Sequence, residues 1–106
     1  DFTIMKEEPF GPLVPMLSFK NFDEVIERAN KNDLGLCSYI CTNSMDQAHR
    51  ASELMETGTV AVNTGVVALA EAPFGGIKQT GYGREGGSTA IKDYLNIKYT
   101  HLGLKG

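Results

Sequence analysis

Residues 36–63 read LCSYICTNSMDQAHRASELMETGTVAVN, and this stretch decides the fold class. It opens and closes on short apolar runs, 36–42 and 59–63, each too short for a helix and partly β-branched or aromatic, which predicts strands. Between them Ser44 and Gln47 form a capping box, Met45, Ala48, Leu54 and Met55 supply an apolar stripe, and Gly58 stops the helix. Strand, helix, strand is the unit of a parallel sheet with a right-handed crossover. The runs barely alternate apolar with polar, as strands covered on both faces do not.

Upstream the pattern repeats. In NFDEVIERANKNDLG, 21–35, Asn21 can cap a helix with Glu24 three residues on, and Phe22, Val25, Ile26 and Ala29 form one apolar face before Gly35. LVPMLSF, 13–19, reads as a further strand, so 13–63 is a βαβαβ arrangement in an α/β fold. Downstream, 64–84 is a long loop of the kind that is usually functional in a compact domain. A third helix lies within 84–95, with Ile91, Tyr94 and Leu95 facing inward behind a weak glycine-rich start. NIKYTHLGL, 96–104, reads as a last strand.

The chain has 106 residues, enough for a single core, and a net charge of −3 with no basic block. That composition argues against nucleic acid or an anionic membrane as partner. No apolar run approaches the length of a membrane span. The start, DFTIMKEEPF, has acidic residues where a secretory signal is basic and carries no Met at position 1, which suggests a processed, truncated or excised chain. Cys37 and Cys41, four residues apart, are too distant along a strand for an easy disulfide. With only His49 and His101 to join them, no metal site is assigned, and both read as buried or half-buried structural thiols of a cytoplasmic protein.

Six of the twelve glycines fall within PFGGIKQTGYGREGG, 73–87, and Gly81 to Gly86 spell a literal G-x-G-x-x-G. A dinucleotide fingerprint follows a buried strand, opens a helix and has an acidic partner about 20 residues on. GGIKQT is no strand, and no Asp or Glu follows Asp93. These glycines read instead as positions of positive φ and close backbone approach.

Taken together, KEEPFGPLVPMLSF (6–19), GTVAVNTG (58–65) and APFGGIKQTGYGREGG (72–87), ending in DYLNIKYTHLGL (93–104), strongly resemble the C-terminal part of the aldehyde dehydrogenase superfamily. The likeness runs from about residue 4 to 104, and looks most like the succinate-semialdehyde dehydrogenase branch. It implies that 1–95 is the C-terminal part of a catalytic domain and 96–106 a terminal oligomerisation strand and tail, making a homo-oligomer through 96–104.

The resemblance also implies roles. Glu8 matches a glutamate that hydrogen-bonds the nicotinamide-ribose hydroxyls of NAD or NADP; a carboxylate has two acceptor oxygens suited to a vicinal diol. Phe10 matches an aromatic beside the nicotinamide, and Phe74 one lining the aldehyde channel, with 65–72 at its mouth. Read without the family, Glu7-Glu8 is a solvated turn and the two rings are packing residues. The implied chemistry is covalent: a cysteine thiolate attacks the aldehyde, hydride leaves to NAD(P)+, and a glutamate-activated water releases the acid, with an oxyanion hole at the tetrahedral stage. No catalytic residue is assigned within this chain. Cys37 and Cys41 lie in a strand between helices, Asn63 is not the oxyanion asparagine, and the reactive cysteine is expected upstream of residue 1, so the chain alone is expected to be inactive.

One departure bears on substrate. Relatives acting on succinate semialdehyde commonly offer a serine to the distal carboxylate, and Ala68 stands in its place. Residues 65–77 hold no hydroxyl or cation, and Glu71 repels an anion. A different aldehyde is one alternative; a non-catalytic α/β interaction module, or an assembly fragment of a dehydrogenase, is another. The residue that would choose NAD or NADP lies outside this chain.

Overall fold

A computed structural model describes residues 2–104 and 106. Its centre is the strand–helix–strand unit. Strand β2 (Cys37–Ile40) pairs parallel with β3 (Thr59–Val62), Cys37 opposite Thr59 and Ile40 opposite Val62. Helix α1 (Phe22–Asn30) precedes β2, and helix α2 (Met45–Leu54) connects it to β3. Both helices start where side-chain chemistry predicts, with Asn21 accepting from the Glu24 N–H and Ser44 from the Gln47 N–H.

A second, antiparallel pair corrects the reading of GGIKQT, 75–80, as no strand: β1 (Leu34–Gly35) bonds with β4 (Ile77–Lys78). Gly35 marks it. A Cβ there would sit 2.9 Å from the Glu56 carbonyl oxygen and 2.9 Å from Ile77 Cγ1, so only glycine lets the strands meet.

Polar clasps aimed at main chain hold these elements. Asn30 donates to the Leu54 carbonyl at 2.8 Å and accepts from the Glu56 N–H at 2.9 Å, tying the C-terminal ends of α1 and α2. Lys78 Nζ donates to the Asn30 and Asn32 carbonyls at 2.8 and 3.0 Å and pairs with Glu56 at 2.7 Å. A cation at the orphan carbonyls of a helix end is favourable both as donor and against the helix dipole. Arg50 lies 4.4 Å above the Phe22 ring and 3.1 Å from Asp23, coupling the two helices at the surface.

The expected βαβαβ order is corrected at its first strand. Residues 13–19 form no ladder and are exposed throughout. Pro12 and Pro15 lack the N–H a ladder needs, and no strand lies beside the segment among the described residues. The segment is fixed only at its end, where Arg28 donates to the Ser18 carbonyl and the Lys20 N–H to Glu24. Residues 96–104 likewise pair with nothing among the described residues; Ile97 and Leu104 are fully open to solvent. The third helix shrinks to a 3-10 turn at Ala90–Tyr94 without a side-chain cap, behind Gly86 and Gly87 at φ 68° and 62°. Glycines in that conformation end a helix rather than start one.

The apolar faces are consequently uncovered. Only Ala51 and Ala61 are buried apolar residues among those described, and a 470 Å³ groove lies open between α1, α2 and β2, lined by Phe19, Phe22, Ile26, Tyr39 and Met55. The chain exposes 9199 Å²; a compact protein of this mass exposes about 5,800 Å². Its radius of gyration is 19.4 Å, against about 13 Å for a compact chain of this length.

Cys37 is half-buried, whereas Cys41 is exposed because β2 ends one residue before it. Cys37 and Tyr39 share a face of β2, and the neighbouring Cys37 side chain holds the Tyr39 phenol above its ordinary range.

The parallel pair is closed at one end by Asn63. Its N–H donates to the Ile40 carbonyl, and its amide donates to the Thr42 carbonyl at 2.8 Å and accepts from the Thr42 N–H at 2.9 Å. It does so at φ 54°, a conformation asparagine tolerates. Asn63→Gly keeps the conformation and loses the clasp, and should lower unfolding free energy by about 1–2 kcal/mol. Asn63→Val, which also resists positive φ, should lose more. Equal urea midpoints for wild type and both variants would contradict this.

Candidate functional site

Beyond Asn63 the chain leaves the C-terminal end of β3, the end at which open α/β sheets bind ligands. The loop turns at Leu69–Ala72, where the Ala72 N–H donates to the Leu69 carbonyl. It then enters a two-way main-chain bridge: Phe74 N–H to Glu85 carbonyl and Glu85 N–H to Phe74 carbonyl, both 2.7 Å. Phe74 is thus placed by its own backbone, half-buried, beside a 310 Å³ cavity that Leu36, Thr80, Tyr82, Arg84 and Asp93 also line.

The glycines make this geometry possible. A Cβ at Gly58 would collide with the Gly75 carbonyl, so the start of β3 lies directly against the residue after Phe74. A Cβ at Gly86 would sit 2.8 Å from the Ala72 carbonyl oxygen, and one at Gly83 would sit 2.7 Å from Asp93 Oδ2. Gly81, Gly83 and Gly86, the three of the literal G-x-G-x-x-G, all have positive φ. They lead into turns and no α-helix follows among the described residues, so none of these offers a helix N-terminus to a pyrophosphate.

Arg84 and Asp93 were missed as site residues by sequence reasoning. Arg84 Nη1 donates to the Gly76 and Gly83 carbonyls at 2.8 and 2.7 Å, and its N–H to Asp93 Oδ2 at 3.1 Å. The available signal was a guanidinium within a run of glycines, whose bare carbonyls need a donor.

The other expected residues lie on separate segments. Glu8 and Phe10 sit on the N-terminal arm after the 3-10 turn at Thr3–Met5. Glu8 is exposed and Phe10 is 97% exposed, so a two-oxygen acceptor and an uncovered ring stand two residues apart. Ala68 is exposed in the loop before Phe74 and offers no polar side-chain atom. Neither Glu8, Phe10 nor Ala68 lines the cavity beside Phe74. Among the described residues no group of three or more His, Cys, Asp or Glu is arranged to hold a metal, and no helix is long and apolar enough to cross a membrane.

Comparison with known proteins gives a match to the aldehyde dehydrogenase family over residues 1–100. The chain is 49% identical over 100 residues to the 3-sulfolactaldehyde dehydrogenase of Pseudomonas putida, covering 94% of this chain and 21% of that protein. It is 46% identical over 101 residues to the succinate-semialdehyde dehydrogenase (NADP+) GabD of Escherichia coli K12, covering 95% and 21%. The structure superposes on the NAD+ complex of aldehyde dehydrogenase from Bacillus cereus with a TM-score of 0.87 at 45% identity, over 92% of this chain and 20% of that one. The chain therefore spans about one fifth of the length of the curated relatives it matches.

The contact of Gly58 with Gly75 generates a prediction. Gly58→Ala should push the Phe74 loop off β3 and lower unfolding free energy by about 1–3 kcal/mol, whereas Gly65→Ala, at a position open on all sides, should not. Urea unfolding of the two variants side by side checks it, and equal effects would contradict it.

Proposed function

The chain belongs to the aldehyde dehydrogenase family, and we propose that it is the C-terminal part of the catalytic domain of an NAD(P)-dependent semialdehyde dehydrogenase, supplying walls of the active site rather than the reacting groups. Residues 1–95 belong to that domain, and 96–106 form the terminal strand and tail through which the enzyme assembles as a homo-oligomer in the cytoplasm. The observation that carries this reading is the pair of half-finished surfaces: Phe74 backbone-locked beside a cavity, and Glu8 with Phe10 left open to solvent.

The donor set suits the cofactor. Glu8 can accept from both hydroxyls of a ribose diol, and the uncovered Phe10 ring can pack beside the nicotinamide. A bound NAD(P)+ would supply the hydride acceptor. The chain's own residues bind and orient: Glu8 sets the ribose, Phe10 limits the travel of the ring, and Phe74 excludes water and presents an apolar face to the aldehyde. The thiolate, the general base and the oxyanion donors come from polypeptide outside 1–106.

For substrate, the similarity to a 3-sulfolactaldehyde dehydrogenase and a succinate-semialdehyde dehydrogenase favours an aldehyde with a distal anionic group. Ala68 and Glu71 offer that group nothing, so a cation elsewhere in the enzyme must bind it; arginine suits the task. A less polar aldehyde is the second reading, favoured by the apolar composition of 65–70.

In the full-length enzyme, Glu8→Ala should raise the KM for NAD(P)+ or slow hydride transfer by about 10- to 100-fold, the weight of a hydrogen-bonded charged group. Unchanged turnover and cofactor affinity would refute the cofactor role. Truncation after Leu95 should shift the assembly to smaller species in sedimentation velocity; an unaltered oligomer would remove the role given to 96–104.

A further inference from the structure

We propose that Arg84 is a positioning residue for Phe74, its guanidinium fixing where that ring stands against the aldehyde. The inference rests on the reading of Phe74 as a wall of the substrate channel.

Phe74 is held on its own residue by the bridge to Glu85. The chain that follows it, Gly75-Gly76, has no side chain to anchor it and the widest backbone freedom of any dipeptide. Arg84 supplies the anchor. Its main chain sits next to Glu85, and its side chain reaches back across the loop to the Gly76 carbonyl, so the residues on either side of the ring are tied to one short segment. The stem passes close over Gly75, where a Cβ would lie 2.9 Å from Arg84 Cδ, and the Nη1 nitrogen is shared with the Gly83 carbonyl.

Arg84 is itself fixed. Asp93 Oδ2 accepts from its N–H, and that carboxylate lies so near Gly83 that a Cβ there would be 2.7 Å away. The anchor therefore connects the 3-10 turn at Ala90–Tyr94, through Asp93 and Arg84, to the carbonyl two residues beyond Phe74. One guanidinium nitrogen carries two hydrogens and can serve two carbonyls in a fixed plane, which a shorter, rotating ammonium does less well. Phe74 and Arg84 both line the 310 Å³ cavity, so a displaced guanidinium changes the shape of the space the ring bounds.

The test is a double-mutant cycle in the full-length enzyme with Arg84→Met, Phe74→Ala and the two combined, alongside Arg84→Lys. Arg84→Met keeps the stem and removes the donors. It should lower kcat/KM for the aldehyde by about 10- to 100-fold, as misplaced contact groups do, while the KM for NAD(P)+ stays within about twofold, since the proposed ribose contact is that of Glu8. Arg84→Lys should recover part of the loss. In the Phe74→Ala background the same change should cost less than about twofold, because the ring it positions is gone. Losses that multiply across the cycle, or that fall equally on aldehyde and cofactor, would overturn the inference and leave Arg84 a structural residue only. A silent Phe74→Ala would instead overturn the channel reading on which the inference stands. Amide hydrogen exchange at Phe74 and Glu85 should quicken in Arg84→Met whatever Phe74 does in catalysis, and unchanged exchange would overturn the clasp itself.

Discussion

Four parallel register pairs, Cys37 with Thr59 through Ile40 with Val62, fix the direction in which the rest of the chain must run. Because the strands are parallel, α2 has to cross over between them, and both strands end on the same side. Asn63 then closes that end by copying a backbone hydrogen-bond pair with its side-chain amide, and it delivers the chain into the loop that holds Phe74. Every element near the cavity takes its place from this pair: Gly58 at the start of β3 abuts Gly75, and Glu85 bonds back to Phe74.

What secures the unit is polar and directed at main chain. Asn30, Asn63, Lys78 and Arg84 each satisfy carbonyls at a helix end, a strand end or a glycine turn, leaving few orphan groups where glycines make the backbone bare. The apolar side chains have no such resolution. They line an open groove beside α1 or stand along the two arms, 10–19 and 91–104, with only two alanines buried among the described residues. Association that covers the arms and the groove has a large hydrophobic driving force, because exposed apolar area of this extent is far above that of a self-sufficient monomer. A chain that matches a fifth of its relatives' length is consistent with the covering surface lying on other polypeptide.

Local signals carried well from sequence to structure where the partner was within the chain. The capping residues Asn21 and Ser44, the stripe of α2 and the parallel pair needed only contacts a few residues or one crossover away. Residues 13–19 and 96–104 have strand composition, yet a strand exists only beside another, and none is available to either among the described residues. The β1–β4 pair escaped notice because two residues each leave no periodicity, and because Lys78 enters it at φ 56°. At the candidate site, the reading of Gly81, Gly83 and Gly86 as positions of positive φ agrees with the angles found there, and the role of Phe74 as a wall rests on the resemblance. Arg84 and Asp93 escaped the side-chain spacing because their partners are main-chain groups, the Gly76 and Gly83 carbonyls and the Arg84 N–H, and only the guanidinium within a run of glycines hinted at them.

The central claim is that Glu8, Phe10 and Phe74 bound one active site that polypeptide beyond residues 1–106 completes. The most direct measurement is a crystal structure of the full-length enzyme with NAD(P)+ and an unreactive aldehyde analogue. The account predicts the Glu8 carboxylate within about 3 Å of the nicotinamide-ribose hydroxyls, Phe10 against the nicotinamide and Phe74 against the analogue. Glu8 and Phe74 on separate surfaces, with neither touching a bound ligand, would contradict it.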